Sequence, residues 1–268
     1  MKEMESTDIY TTVVGVDEKH LCQLRLVWPT WKRHKSSLLE SPMIIFFDPK
    51  QVDRRDILRV VDHPDLRLYS WPPDDVEFEK GHDKWTDSQR CKMLSGFVHI
   101  ASEHVETRYW LKLDTDTVAT ERSDWINPRW FIEEPGIVAQ PWGYTKPPDQ
   151  IVRLDDWVEL HKEQLQDLAC FSPLDLKPLS GASRITHPRI ISWCGFFNTS
   201  LTRCCARWAE KTMGRGHLPV SSQDGYMWYC ATRLKMKIHR VSMKDLGWQH
   251  WCTMTNIEKH SREALNDG

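Results

Sequence analysis

Two aspartates separated by a single residue follow a mostly apolar segment near the middle of the chain. The segment, residues 109–113, reads Tyr-Trp-Leu-Lys-Leu, and Asp114 and Asp116 come directly after it. Residues i and i+2 of a β-strand face the same side, so we expect the two carboxylates to converge while Thr115 points away. Neighbouring carboxylates repel each other unless a positive charge lies between them. The pair therefore predicts a site for Mg²⁺ or Mn²⁺, which both accept hard oxygen ligands.

Other interpretations of this acid pair lead to different chemistry. A calcium-binding EF-hand that began at Asp114 would need Gly at its sixth position and Glu at its twelfth, but Ala119 and Trp125 stand there. A haloacid-dehalogenase-like phosphatase would use D-x-D-x-V with Asp114 as its nucleophile, and residues 114–118 match that pattern. That motif normally lies on the first strand and needs a later G-D-x-x-x-D, which the sequence lacks. Two solvated acids in a turn are the remaining interpretation.

The elements before the acid pair predict an α/β fold. Apolar strand patterns alternate with amphipathic helical patterns, in the order 9–14, 20–32, 43–47, 52–61, 66–70, 86–104 and 109–113. The last of these helices begins with a capping box, because Thr86 is followed three residues later by Gln89. Such alternation is typical of a mostly parallel sheet with helices on both faces. Ligands of these sheets bind at the carboxyl ends of the strands, which is where the two acids lie.

The second half of the chain is less regular. Its patterns predict strands at 136–141, 189–199 and 237–241, and helices that begin near residues 147, 201 and 221. Residues 172–188 are rich in Pro and Ser and lack periodicity, which indicates a long surface loop of the kind that forms lids or binding loops. We expect a single domain over residues 1–268, with a polar tail at 257–268 that frays.

Composition excludes several classes of protein. The 268 residues carry a net charge of −2, so no basic excess predicts nucleic-acid binding. The longest apolar run near the start, 43–47, is too short to cross a bilayer, and the charged first residues do not resemble a secretory signal. None of the eight Cys stands in a C-x-x-C pair, so a zinc knuckle is not expected. We expect a soluble, reduced, cytoplasmic protein without a transmembrane segment.

The block 91–119 resembles the centre of GT-A-fold glycosyltransferases that carry a D-x-D motif, and it is most similar to the inverting β-1,3-galactosyltransferase-like group. That group has a helical Lys, a Gly four residues later and K-x-D-x-D on the next strand. The same arrangement is formed here by Lys92, Gly96, Lys112, Asp114 and Asp116. Residues 193–199 resemble the acceptor segment of the group. Residues 221–226 resemble its E-D-V-x-x-G segment, although Gln replaces the Glu and the later Gly is not obvious.

The resemblance implies a metal-dependent hexosyltransferase that uses a UDP- or GDP-linked sugar as donor and a glycan or another hydroxyl compound as acceptor. Residues 8–120 would bind the nucleotide sugar and residues 121–256 the acceptor. Mn²⁺ or Mg²⁺ would be the cofactor, with Asp116 as the first choice for a direct ligand. Asp114 would bind the metal through water or hold the ribose. The family often supplies a late His as a third ligand, and we choose His250 over His239, which lies in a strand-like run.

Donor and acceptor would also contact residues at the ends of the predicted elements. Val14, at the end of the first strand, would line the base pocket through backbone groups, and Asp48, after the second strand, would accept hydrogen bonds from base or ribose. Lys92 would reach the diphosphate or the base, with Arg90 as a second candidate for that role. The residues that we expect beside the acceptor are Trp142, Trp193 and Gly195.

Asp224 is the predicted general base. An inverting transferase needs a carboxylate that takes the proton of the acceptor hydroxyl, and the N-terminus of a helix favours the charged form of an acid. The resemblance therefore implies an inverting glycosyltransferase with Asp224 in this role. Two alternatives remain open: a phosphatase with Asp114 as nucleophile, and a sugar- or nucleotide-binding module without turnover.

Overall fold

The computed structural model describes residues 9–76, 88–121, 125–142, 149–168, 189–220 and 222–266, without the side chains of 88–92, 142, 149–151, 189, 191 and 192. Strands in this part of the chain are β1 Tyr10–Val16, β2 Met43–Phe47, β3 Leu66–Ser70, β4 Tyr109–Leu113, β5 Thr117–Ala119, β6 Ile137–Trp142, β7 Arg189–Asn198, β8 Ile238–Arg240 and β9 Trp248–His250. The α-helices are α1 Glu18–His34, α2 Arg54–Val60, α3 Ser88–His104, α4 Asp149–Leu160, α5 Lys162–Asp167, α6 Thr199–Met213, α7 Gln223–Arg233 and α8 Met254–Asn266.

The strands form one large sheet and one short ribbon. The large sheet has the order β3-β2-β1-β4-β7-β6-β8. The pairs β1–β2, β2–β3, β1–β4 and β6–β8 are parallel, whereas β7 runs antiparallel to both β4 and β6. The carboxyl ends of β1, β2 and β4 therefore meet at one edge of the sheet. Strands β5 and β9 pair separately in antiparallel fashion, and we call this pair the β5–β9 ribbon.

Apolar side chains cover the large sheet on both faces. Helices α3, α6 and α7 contribute to one buried cluster, and α1, α2 and α8 contribute to the other. Strands β1, β2 and β4 are buried along their whole length, as expected for parallel strands that are covered on both sides. The predicted α/β class with a mostly parallel sheet is confirmed. Every described helix is too short or too polar to cross a bilayer.

Two expectations about the second half are wrong. Residues 257–266 do not form a frayed tail, because they continue α8, which buries Ile257, Ser261 and Ala264 and packs against α1. His34 at the end of α1 contacts the carbonyl oxygen of Ala264 at 2.7 Å, which ties the two helices together. The second is that the predicted strands ended with the run 237–241, whereas a further strand, β9, follows it. The start of the capping box, Thr86, and the loop 172–188 lie outside the described residues.

Candidate functional site

Asp114 and Asp116 lie in a turn that joins β4 to the β5–β9 ribbon at the carboxyl edge of the large sheet. The amide of Thr117 donates to the carbonyl oxygen of Asp114 at 3.2 Å, which closes the turn. Strand alternation does not set the direction of these side chains, because β4 ends at Leu113. Thr115 does point away, since its hydroxyl donates to Oε1 of buried Gln23 at 2.7 Å. The two carboxylates keep part of their surface exposed.

Lys112 neutralises one of the two acids. Its Nζ lies 2.5 Å from Oδ1 of Asp114, and the residue itself is only 1 % exposed. Burial raises the pKa of Asp114; the charge of Lys112 opposes this, and the charge of Asp116 adds to it. One oxygen of Asp114 is thus already engaged by a buried ammonium group. Of the two acids, Asp116 is therefore the better direct ligand for a cation.

The β5–β9 ribbon brings His250 to Asp116. Thr117 and His250 are paired in the ribbon, and the backbone N–H of Trp251 donates to the carbonyl oxygen of Asp116 at 3.0 Å. Nε2 of His250 then lies 3.3 Å from Oδ2 of Asp116. The ring of Trp193 stacks on the imidazole, with 5.6 Å between ring centroids and 10° between planes. His250 is thus held from two sides.

The surroundings of His250 change its affinity for a proton. Burial alone would lower the pKa of His250, but the hydrogen bond to Asp116 and the charges of Asp116 and Asp114 outweigh burial and raise it. A metal cation that lay between Asp116 and His250 would displace the proton from Nε2 of His250, since a histidine must be neutral to bind a metal. The same two carboxylates that favour the proton would favour the metal ion.

The residues of this edge fit a divalent cation with two ligands in position. No three His, Cys, Asp or Glu side chains in the described ranges already surround one point. However, Oδ1 of Asp116 is buried and has no hydrogen-bond partner among the described residues, which is uncommon for a carboxylate oxygen. Mg²⁺ usually takes one or two protein carboxylates and completes its shell with water and substrate phosphates. Asp116 and His250 are the protein ligands that this arrangement supports.

Side chains on one face of α1 form hydrogen bonds with the turn that carries the acid pair and with the β5–β9 ribbon. Besides the Thr115–Gln23 bond, Nε1 of Trp31 donates to the carbonyl oxygen of Thr117 at 2.6 Å. The amide of Ala119 donates to the hydroxyl oxygen of Thr30 at 3.1 Å. Gln23, Thr30 and Trp31 follow a spacing of seven and eight residues, which places them on the same side of a helix. The position of the acid pair is therefore set by α1 as well as by β4.

Lys35, directly after α1, fastens the far end of the ribbon. It is 1 % exposed, and its Nζ donates to the carbonyl oxygens of Thr120 at 3.0 Å and of Leu246 at 2.9 Å. Thr120 follows β5 and Leu246 precedes β9, so one cation holds both strands at the end opposite His250. The ammonium group also lies 5.5 Å from the ring centre of Trp248.

The other predicted donor residues lie near the same edge. Val14 is fully buried inside β1, which continues to Val16. The carboxylate of Asp48 accepts hydrogen bonds from the amide of Lys50 at 3.0 Å and from Nε2 of Gln51 at 2.8 Å, the contacts of a turn-forming aspartate. Their roles in donor binding stay predictions. Arg90 and Lys92 lie in the first turns of α3, and their side chains are outside the described residues.

The predicted acceptor and base residues are more scattered. Gly195 pairs with Lys112 across β4 and β7, and a Cβ there would lie 3.0 Å from that of Ala139, so packing alone favours Gly. Asp224 lies in the first turn of α7, is 6 % exposed, and accepts a 2.7 Å hydrogen bond from the hydroxyl of Ser222. Among the described hydrogen bonds and ion pairs, none links Asp224 to the acid pair. The side chain of Trp142 is not described. These roles stay predictions.

Sequence reasoning missed a histidine near the acid pair. Asp17 caps the N-terminus of α1, and its Oδ1 lies 2.6 Å from Nδ1 of His20. The charge of His20 acts to lower the pKa of Asp114, which indicates that the two side chains are close. The available signal was position, because Asp17 and His20 directly follow the carboxyl end of β1. No comparable signal marked Lys35, whose role depends on contacts that are distant in the chain.

Replacing Asp116 with Asn tests the electrostatic coupling at His250. The change removes the nearest negative charge, so the pKa of His250 should fall, as measured by NMR titration of its ring protons. Because the folded pKa is raised, the pair stabilises the wild type fully below the unfolded value of about 6.5 and loses that effect as pH rises through the folded value. Asp62→Asn, which alters a distant pair with Lys32, is the control. An unchanged His250 pKa in Asp116→Asn would contradict the geometry.

Replacing Lys35 with Met tests whether its ammonium group stabilises the β5–β9 ribbon. The change removes the donor from the half-buried carbonyl oxygens of Thr120 and Leu246 and a buried ammonium group from the fold, so we expect the free energy of unfolding to fall by about 2 kcal/mol in urea denaturation. Lys32→Met is the matched control, because Lys32 lies in the last turn of α1, three residues before Lys35, and pairs with Asp62 at the surface. Its loss should cost less than about 1 kcal/mol. Equal effects of the two variants would show that Lys35 does not fasten the ribbon.

Comparison with known proteins identifies the fold. No protein-family model and no curated protein matches the sequence. The structure is similar to that of the galactosyltransferase LgtC in complex with donor and acceptor sugar analogues, with a TM-score of 0.52, 8% identity, and coverage of 96% of this chain and 95% of that chain. It is also similar to core-mannan synthase A from Aspergillus fumigatus in a Mn/GDP form (TM-score 0.53, 12% identity, 93% and 78% coverage). A third similar structure is the mannosyltransferase Ktr4p from S. cerevisiae in complex with GDP (0.50, 10%, 91% and 72%). The chain therefore has the GT-A fold of these solved glycosyltransferases.

Proposed function

We propose that this chain is a metal-dependent glycosyltransferase that moves a hexose from a nucleotide-diphosphate sugar to a hydroxyl group of an acceptor. The observation that carries the proposal is the convergence of Asp116 and His250, beside the Lys112–Asp114 pair, at the carboxyl edge of the sheet. Open α/β sheets bind their ligands at this edge. The Mn/GDP form of core-mannan synthase A, which shares the fold, supports a divalent metal and a nucleotide diphosphate as the bound species.

Each residue of the site would have a different role in binding the donor. Asp116 and His250 would hold Mn²⁺ or Mg²⁺, which as a Lewis acid neutralises charge on a leaving diphosphate. Asp114 would act through a water molecule or hold the ribose, because Lys112 already engages one of its oxygens. Arg90 and Lys92 would contact the phosphates from α3. Backbone groups near Val14, together with Asp48, would face the base and ribose of a UDP- or GDP-linked sugar.

Acceptor activation is the second part of the proposal. Transfer passes through a transition state with oxocarbenium character, as in glycoside hydrolysis, and the attacking hydroxyl must lose its proton. Inverting transfer assigns that proton to Asp224, whose negative charge the N-terminus of α7 favours. The hydroxyl of Ser222 fixes the orientation of the carboxylate by its hydrogen bond. Trp193 supports an acceptor position next to His250, and Trp142 and Gly195 are further candidates.

Metal-dependent binding of a nucleotide diphosphate tests the proposal. UDP, GDP, CDP and ADP are screened by thermal unfolding with and without Mn²⁺. A nucleotide at 100 times its Kd adds about 2.7 kcal/mol of stability, which corresponds to a rise of about 5–10 °C in Tm for a chain of this size. Asp116→Asn and His250→Gln should lose the Mn²⁺-dependent part of the rise. His104→Gln, a half-buried histidine that stacks on Tyr69, is the control. If none of these nucleotides raises the Tm in a Mn²⁺-dependent way, the proposal is contradicted.

Asp224→Asn tests the chemical step separately. The variant should bind the nucleotide sugar with unchanged affinity and lose transfer by a factor of about 10²–10⁴, because only the proton acceptor is removed. NMR of the wild-type product determines whether the anomeric configuration is inverted. A product with retained configuration, or full transfer by the variant, would contradict the role of Asp224 as general base. Neither result would contradict the proposed donor site. Nucleotide binding without transfer to any acceptor would favour the non-catalytic module, and release of phosphate from a phosphomonoester would favour the phosphatase.

A further inference from the structure

A groove of about 940 Å³ leads away from the candidate metal site toward the C-terminal helix. Trp193 and His250 of the candidate site line the groove, together with Trp251 and with His260 and Glu263 of α8. The groove therefore connects the point where the donor would be cleaved to the exposed edge of α8. Ligand pockets commonly have volumes of about 300–1,000 Å³, so the space exceeds what one sugar ring needs.

Two stacked pairs of aromatic rings form the walls of the groove. Trp193 stacks on His250, and Trp251 stacks on His260 with 3.7 Å between ring centroids and 11° between planes. All four rings are half-buried, so each is fixed by its neighbour and still presents part of its surface. Rigid aromatic rings with an apolar face and a polar edge suit the apolar faces of sugar rings. The two walls could accordingly hold more than one ring of a chain.

Polar side chains and indole rings contribute to the same lining. Trp248 and Trp251 belong to the lining, and their indole N–H groups lie buried beneath its surface without an acceptor among the described residues. A buried donor without a partner is rare in native proteins and often marks a position that water or a ligand serves. The side-chain amides of Gln140 and Gln249, which also line the groove, add donors and acceptors. A ligand rich in hydroxyl groups would match this lining.

The charges of the groove argue against an anionic occupant. Among the described residues of the lining, the carboxylates Glu121 and Glu263 accompany one amino group, that of Lys244, and the remaining titratable groups are histidines. A nucleic acid or another polyanion would be repelled by these carboxylates, and the described lining offers it one lysine. A neutral compound avoids this cost. Shape, stacking surfaces, hydroxyl-matching groups and charge therefore point to the same class of ligand.

We propose that the groove binds the non-reacting sugars of a neutral oligosaccharide acceptor, with Trp251 as the main stacking surface. The inference rests on the proposed function and goes beyond it, because it names the acceptor class and the place where its remote sugars lie. The reacting sugar would sit next to Trp193 and His250, and the next rings would follow the groove toward Glu263. Affinity should accordingly increase with the length of the acceptor chain.

The test measures saccharide binding to the full chain in the presence of Mn²⁺ and the nucleotide diphosphate that gives the largest thermal shift. A glycan array selects the best-binding neutral glycan, and its mono- to tetrasaccharide series is then titrated by tryptophan fluorescence and saturation-transfer NMR. The wild type should gain about tenfold or more in affinity along the series. Trp251→Ala should lose that gain and keep the Kd for the nucleotide. Trp130→Ala, a half-buried tryptophan outside the groove, should keep both.

A second variant keeps the proposal testable if Trp251→Ala does not fold. Glu263→Arg places a bulky cation at an exposed position of the groove and should also reduce the tetrasaccharide affinity about tenfold. Equal saccharide binding by wild type, Glu263→Arg and any folded Trp251→Ala would overturn the proposal. Absence of neutral-glycan binding by a protein that binds the nucleotide would overturn it too, and so would loss of nucleotide affinity in Trp251→Ala. Failure of nucleotide binding in the wild type would instead overturn the proposed function on which the groove depends.

Discussion

The pairing of two three-residue strands, β5 and β9, determines the geometry of the candidate site. It joins the turn that carries the acid pair to a segment from the far end of the chain, and only this pairing brings Nε2 of His250 to 3.3 Å from Asp116. An isolated two-stranded ribbon of this size is not stable in water. Its stability must therefore come from its contacts with one face of α1 and with the buried ammonium group of Lys35, which directly follows that helix.

In the described part of the chain, the sheet edge carries more negative than positive charge around the acid pair. Two carboxylates lie in one turn, and among the described side chains a buried cation, Lys112, lies beside Asp114 alone. The other depends on His250, whose pKa is raised in response. A buried oxygen of Asp116 that has no partner in the described chain marks the same shortage. A divalent cation would supply what is missing, which is why the electrostatics and the proposed metal site support one another.

The first half of the fold was predictable because its signals are local. Strands that are buried on both faces form apolar runs, and the amphipathic helices between them show their periodicity directly, so β1 to β4 were predicted within a few residues. The acid pair was predictable for the same reason, although a turn rather than a strand directs its side chains. By contrast, β5 and β9 are too short for any periodic pattern. Helix α8 buries Ile257, Ser261 and Ala264, and only one of these is a large apolar residue. The roles of Lys35, Gln23 and Trp251 arise from long-range contacts.

The central claim is that Asp116 and His250 bind one metal ion together. Electron spin-echo envelope modulation of Mn²⁺ bound to the protein with a nucleotide diphosphate measures this directly, because it detects a nitrogen nucleus in the coordination shell. The account predicts nitrogen modulation in the wild type that disappears in His250→Gln and persists in His104→Gln. A Mn²⁺ signal without nitrogen coupling, or a coupling that survives the loss of His250, would contradict it.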